Sequence, residues 1–203
     1  MIVGLTMFRT IWPTNKTNYA PLDVAYPVFD AIKNAFPQVE INDCLQTLTD
    51  AAFYIYDHET AKRCYVHNDP ERVAHFTVIH ENKRPVHFLA IDKCLLIDSD
   101  ENPRCDCAIF DEETFCFIEI KTTSSGNERR RAKFRRKAIN QLKATIAFFR
   151  SHVAFDSTPI EAYITLLAES EGRPRNRTNL TAEIEEFDEI GVLLFYDDRR
   201  TFD

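Results

Sequence analysis

Apolar residues recur along this chain with two different periods. From Leu22 to about Ala35, the positions Leu22, Ala25, Val28, Phe29, Ile32 and Phe36 fall three and four residues apart. That is the spacing of an amphipathic helix, and Pro37 ends it. A second stretch, from about Asn42 to Tyr54, gathers Cys44, Leu45, Leu48, Ala51 and Ala52 on one helical face and predicts another helix. The period then shortens. His75 to His80 and Val86 to Ile91 are short, rich in β-branched and aromatic residues, and separated by the polar run from Glu81 to Pro85, so both read as strands. Cys94 to Ile97 reads as a further strand, running into the loop-like residues Asp98 to Pro103. Cys105 to Phe110 and Phe115 to Lys121 follow. Only Asp111 to Thr114 separate them, which predicts an antiparallel hairpin.

Helical spacing returns near Asn127 and lasts to about Ser151, with Phe134, Ala138, Leu142, Thr145, Ile146 and Phe149 as its apolar stripe and Ser124 or Ser125 as the cap. Ile160 to Leu167 and Gly191 to Tyr196 read as strands buried on both faces. Between them lie a polar loop, Glu171 to Arg177, and a short helix, Thr181 to Phe187. Residues 1 to about 21 have the composition of an irregular segment. The order predicts a single α/β domain over residues 1–203, a mixed central sheet flanked by helices.

Composition narrows the classes. With 44% apolar and 12% aromatic residues the chain is expected to build a core rather than stay disordered. Four glycines, and neither a GxGxxG nor a GxxxxGK[ST] run, leave no glycine-rich phosphate loop. No basic segment precedes the first apolar residues and no run approaches the ~18 apolar residues of a membrane span, so a cytoplasmic protein without membrane contact is expected. Six cysteines (44, 64, 94, 105, 107, 116) lack CxxC spacing and are expected to be buried as small hydrophobes, not linked or metal-bound.

Three charged residues stand out. Glu119 and Lys121 share one face of the otherwise apolar run from Phe115 to Lys121, where charges are costly unless paired or coordinated. A paired hairpin brings Asp106 close to Glu119. Two carboxylates with the carbonyl of Ile120 suit Mg²⁺ (or Mn²⁺), a hard ion that prefers oxygen. An adjacent Lys121 suits an attacking water or the charge developing on a phosphate. The plainer alternative is a structural ion pair at a strand end.

Asp106, then Glu119-Ile120-Lys121 closing an apolar strand, then a basic helix carrying Gln141, resembles the PD-(D/E)XK nuclease superfamily over about residues 85–167. The resemblance implies an αβββαβ restriction-endonuclease-like core with extra N-terminal helices. It further implies Asp106 and Glu119 as metal ligands, Lys121 as the catalytic lysine and Gln141 near the reacting centre. Pro103 stands three residues before Asp106 rather than beside it, and Glu40, Asp43, Asp50 and Asp57 all remain open for a further acidic ligand. A second E-x-K, Glu81-Asn82-Lys83, lies in a polar loop without that context.

The formal charge of −7 argues against a polyanionic partner until it is divided. Residues 121–150 carry ten bases against Glu128 alone. Arg129, Arg130, Arg131, Lys133, Arg135 and Arg136 begin eight residues after Lys121, where a nuclease must neutralise a phosphate backbone. A nucleic-acid partner follows, DNA ahead of RNA. Enzymes that cut both strands often work as homodimers, and that assembly is compatible with this reading. Two rivals stay open: an inactive nucleic-acid or protein interaction module of the same fold, and a small-molecule enzyme on another α/β fold.

Overall fold

Strand alternation, not the helical period, governs the stretch from Leu45 to His58. The computed structural model describes residues 28–81, 84–97, 103–123, 128–168 and 180–202; the N-terminal segment, the Ser124/Ser125 cap and the Glu171 to Arg177 loop fall outside them. In chain order the elements are α1 (Val28–Ala35), α2 (Gln38–Ile41), β1 (Leu45–Leu48), β2 (Ala52–His58), β3 (Arg63–His67), β4 (Phe76–His80), β5 (Val86–Ala90), β6 (Cys107–Phe110), β7 (Phe115–Thr123), α3 (Glu128–His152), β8 (Ile160–Ala168), α4 (Leu180–Asp188), β9 (Val192–Phe195) and β10 (Arg199–Phe202).

The helix expected over 42–54 is replaced by β1 and β2. Asp43 adopts φ 50°, a left-handed conformation that Asp tolerates and that stops a helix. Buried Phe53 and Ile55 then alternate with half-buried Tyr54 and Tyr56, the period of a strand. The strand expected over Cys94 to Ile97 is a turn, with Lys93 at φ 58° and an isolated bridge between Asp92 and Leu96. Its Cys94 is joined to Cys44 by a disulfide, which corrects the expectation that all six cysteines are unlinked. Cys64, Cys105, Cys107 and Cys116 are buried thiols, as expected.

Among the described residues ten strands form two mixed sheets, one of six strands ordered β1-β5-β6-β7-β8-β9 and one of four ordered β10-β4-β2-β3. The single central sheet expected from sequence is therefore incomplete: β4 joins the second sheet, where it pairs antiparallel with β2 and parallel with β10. In the larger sheet β6 and β7 form the antiparallel hairpin, and α3 carries the chain from β7 to its parallel neighbour β8.

Helices and second sheet cover opposite faces of the six-stranded sheet. On the face of Phe115 and Phe117, Phe149 of α3 meets both rings, at centroid distances of 6.1 and 5.2 Å, and Phe36 after α1 packs on Phe149. On the other face Phe76 of β4 stands edge-on to Tyr163 of β8 at 5.3 Å. Arg200 of β10 reaches Glu161 of β8 at 2.9 Å, and that carboxylate also accepts from Tyr163 and Cys116. The stripe expected on α3 is buried at Ala138, Leu142, Thr145, Ile146 and Phe149. On β9 the expectation of two buried faces fails: Val192 and Leu194 are buried, but Leu193 is 53% and Phe195 37% exposed.

Candidate active site

The site is set by the turn that closes the β6–β7 hairpin. Asp111 accepts the backbone N–H groups of Glu113 and Thr114 on Oδ1 at 2.9 and 2.8 Å, an Asx turn. The register that follows runs from Phe110 opposite Phe115 to Cys107 opposite Ile118. One further step places Asp106 across from Glu119, on the face that Glu119 shares with Lys121.

Asp106 is held on three sides. Its carbonyl accepts the N–H groups of Ile91 and Asp92 at 3.0 and 3.2 Å, and its Oδ2 accepts the N–H of Ile120 at 2.6 Å. Glu119 is fully buried; its Oε1 accepts from the Lys121 ammonium, which also pairs with it as a salt bridge. Its Oε2 is buried with no hydrogen-bond partner among the described residues. A half-satisfied buried carboxylate is costly, so this oxygen marks where a cation fits.

Burial pushes the Asp106 carboxyl up to about 7, against the pull of Lys121 and the Ile120 N–H, while the charges of Asp57 and Asp92 push it further up. Burial also lowers the Lys121 ammonium, and Lys137 of α3 adds to the effect. Asp106 and Asp57 work against it. Such opposed environments for an acid and a base are characteristic of functional sites.

Of the four acids left open by sequence, Asp57 is the one whose charge reaches both Asp106 and Lys121. It lies on β2 opposite Cys64, whose thiol is hydrogen-bonded to that of Cys107 beside Asp106. Glu40 is taken by Lys33 at 2.6 Å, and Asp43 and Asp50 are exposed. The sequence offers Asp57 as one of four equal acids; β2, found in place of the helix expected over 42–54, is what sets it apart.

Gln141 is near the site but bonded elsewhere: its Nε2 donates to the Arg104 carbonyl at 2.6 Å. One turn on, Thr145 accepts the Cys105 N–H at 2.8 Å. Both side chains tether the segment leading into Asp106. Along α3, Arg129, Arg130, Lys133 and Arg136 are exposed and Arg131 is half-buried. Arg130 lies over the Phe134 ring. Arg135 departs from the expectation: it is ion-paired with Glu183 of α4 at 2.9 Å and so ties two helices together.

For a metal, the described residues contain no group of three or more His, Cys, Asp or Glu side chains arranged to hold an ion. Two carboxylates and one carbonyl are what the site offers. The N–H and C=O of a strand residue point to the same edge, so the Ile120 carbonyl faces the side where its N–H meets Asp106. This all-oxygen donor set, with the unpartnered Glu119 Oε2, fits Mg²⁺ or Mn²⁺. No helix among the described residues is long and apolar enough to cross a membrane. Comparison with protein families, characterised proteins and solved structures finds no match to this chain.

Proposed function

We propose that this chain is a Mg²⁺- or Mn²⁺-dependent nuclease that hydrolyses phosphodiester bonds, in DNA ahead of RNA. The observation that carries the reading is the hydrogen bond that holds Asp106 to Ile120, the residue next to Glu119, at the end of the hairpin. There, one carboxylate is fixed by the Ile120 N–H and the other keeps a buried oxygen without a partner. The succession β5, β6, β7, α3, β8, with an antiparallel hairpin followed by a parallel crossover and with α2 and β1 to β4 standing between α1 and β5, supports a restriction-endonuclease-like core. The site also lies at the carboxyl end of β7, the edge where open α/β sheets receive ligands.

Asp106, Glu119 and the Ile120 carbonyl would hold the ion, which when bound acidifies a water and neutralises charge on the phosphate. Lys121, kept partly desolvated beside both carboxylates, orients the attacking water and stabilises the developing negative charge. The exposed cations Arg129, Arg130, Lys133 and Arg136, with Arg131, hold the substrate backbone next to it. Gln141 and Thr145 keep Arg104 and Cys105, and so Asp106, in place.

The test is cleavage of plasmid, single-stranded DNA and RNA with Mg²⁺ or Mn²⁺, comparing the natural chain with Asp106→Ala and Lys121→Ala. The expected result is metal-dependent cutting that falls by about 100-fold or more in each variant. Equal cleavage by all three proteins would sink the proposal.

A further inference from the structure

The four-stranded sheet has an outward face of unusual content. Phe53, Ile55, Cys64, Phe76 and Val78 point inward and are buried. The alternate positions therefore point out: Tyr54, Tyr56 and His58 on β2, Arg63, Tyr65 and His67 on β3. Cross-strand register sets Tyr54 opposite His67, Tyr56 opposite Tyr65 and His58 opposite Arg63. The rings touch in series. Tyr54 and His67 stack at 5.6 Å, Tyr56 lies 5.5 Å from His67 and 5.7 Å from Tyr65, and His58 meets Tyr65 at 6.0 Å. Two guanidinium groups lie against this row, Arg63 at 5.3 Å from the Tyr65 ring and Arg72 at 5.9 Å from Tyr56.

The charge of this face runs against that of the chain. Acids outnumber bases 32 to 25 in the whole sequence. Yet no outward strand position of this sheet holds Asp or Glu, including Thr77 and Ile79 of β4 and Arg199 and Thr201 of β10. Arg63 is bonded to the carbonyls of Asn42 and Asp43 rather than to a carboxylate, so its charge is held in position without being neutralised.

We infer that this face binds single-stranded nucleic acid, its bases stacking on the Tyr54–Tyr56–Tyr65–His67 row and its phosphates meeting Arg63, Arg72 and Arg199. Cation-flanked rings with no acid at the outward strand positions suit a polyanion with flat apolar faces. Only a single strand can present those faces, since a duplex keeps its bases stacked on one another. The His58–Arg63 end of the row adjoins Asp57, whose charge raises the pKa of both Asp106 and Lys121; the binding does not rest on the hydrolytic reading.

The test is fluorescence anisotropy in EDTA with a labelled oligothymidylate, an oligouridylate and a duplex of equal length. Tyr56→Ala and Tyr65→Ala are expected to lose about tenfold or more in affinity for both single strands, while Tyr56→Phe stays within about twofold. Tyr56→Leu and Tyr65→Leu, which keep bulk without a ring, show the same loss if the alanine variants unfold. Absence of single-strand binding, ring variants that bind unchanged, or equally ring-dependent binding of duplex would each overturn the inference. Cleavage that survives unchanged binding by ring variants leaves the hydrolytic reading intact. Ring-dependent binding by a chain that never cleaves leaves this one intact.

Discussion

Asp106 Oδ2 accepts the backbone N–H of Ile120 at 2.6 Å, so the residue between Glu119 and Lys121 anchors the carboxylate that stands opposite them. The acid and the E-x-K run are thus one hydrogen-bonded unit. An amide oxygen can still accept from Ile120, whereas alanine leaves that N–H without its partner. Asp106→Ala is expected to lose about 1–3 kcal/mol of stability, and Asp106→Asn to lose none at neutral pH. Both lose cleavage. Urea unfolding beside a cleavage assay separates the structural role of the oxygen from the chemical role of the charge.

The pH dependence has a definite sign. Burial holds Asp106 near 7 in the folded chain, against an ordinary 3.8. Between these values the folded state keeps a proton that the unfolded state has released, so this group's contribution to stability falls as pH rises from about 4 to about 7, then levels. His75, His80 and His87, all lowered by burial, act in the opposite direction near pH 6. The quantity to measure is therefore the difference in melting temperature between the natural chain and Asp106→Asn in EDTA, which should change across that window in favour of the asparagine. Affinity for Mn²⁺, which needs the ionised carboxylate, should rise up to tenfold per pH unit below about 7 and then plateau. A flat difference and a flat affinity would contradict this placement of the acid.

Neighbouring arginines on α3 should behave differently. Arg135 pairs with Glu183, whose other oxygen accepts from Tyr196 at 2.5 Å, so its loss loosens the docking of α4. Arg135→Ala is expected to cost about 1 kcal/mol of stability and to leave the salt dependence of binding largely unchanged. Arg136 is exposed; Arg136→Ala should leave stability alone and reduce the slope of log affinity against log salt by about one. Denaturant titration and DNA binding at several salt concentrations check both.

The Cys44–Cys94 disulfide closes a span of 50 residues that contains β1 to β5. Constraint on the unfolded chain predicts that reduction, or Cys94→Ser, lowers stability by about 2–4 kcal/mol. The turn carrying Cys94 also supplies the Ile91 and Asp92 N–H groups that hold Asp106, so cleavage should fall with reduction before global unfolding. Thiol titration in denaturant should find four reactive thiols in the oxidised chain and six after reduction. Equal stability and cleavage in both states would remove the disulfide from the account.

What was legible in the sequence follows from the range of the interactions involved. The β6–β7 hairpin and α3 are specified by neighbours: an Asx turn at Asp111, the apolar run from Phe115 to Ile118, and a stripe from Ala138 to Phe149. Asp106, Glu119 and Lys121 came with them. Between Asn42 and His58 the outward tyrosines are themselves apolar enough to mask the alternation, so the spacing predicts a helix in place of β2, which leaves Asp57 one of four equal acids and the rings without a shared face. The parallel pairing of β10 with β4 joins residues more than a hundred apart, and the disulfide joins two that share no motif. The commitment of Arg135 to Glu183 likewise depends on where α4 docks.

The central claim is that Asp106 and Glu119 share one divalent ion. The direct measurement is a crystal of the natural chain soaked in Mn²⁺, with the metal located by its anomalous signal. The account predicts a peak between the two carboxylates, at about 2.1 Å from an oxygen of each, and none there in Glu119→Gln. A peak elsewhere, or Glu119 still bonded only to Lys121 with Mn²⁺ present, would contradict it.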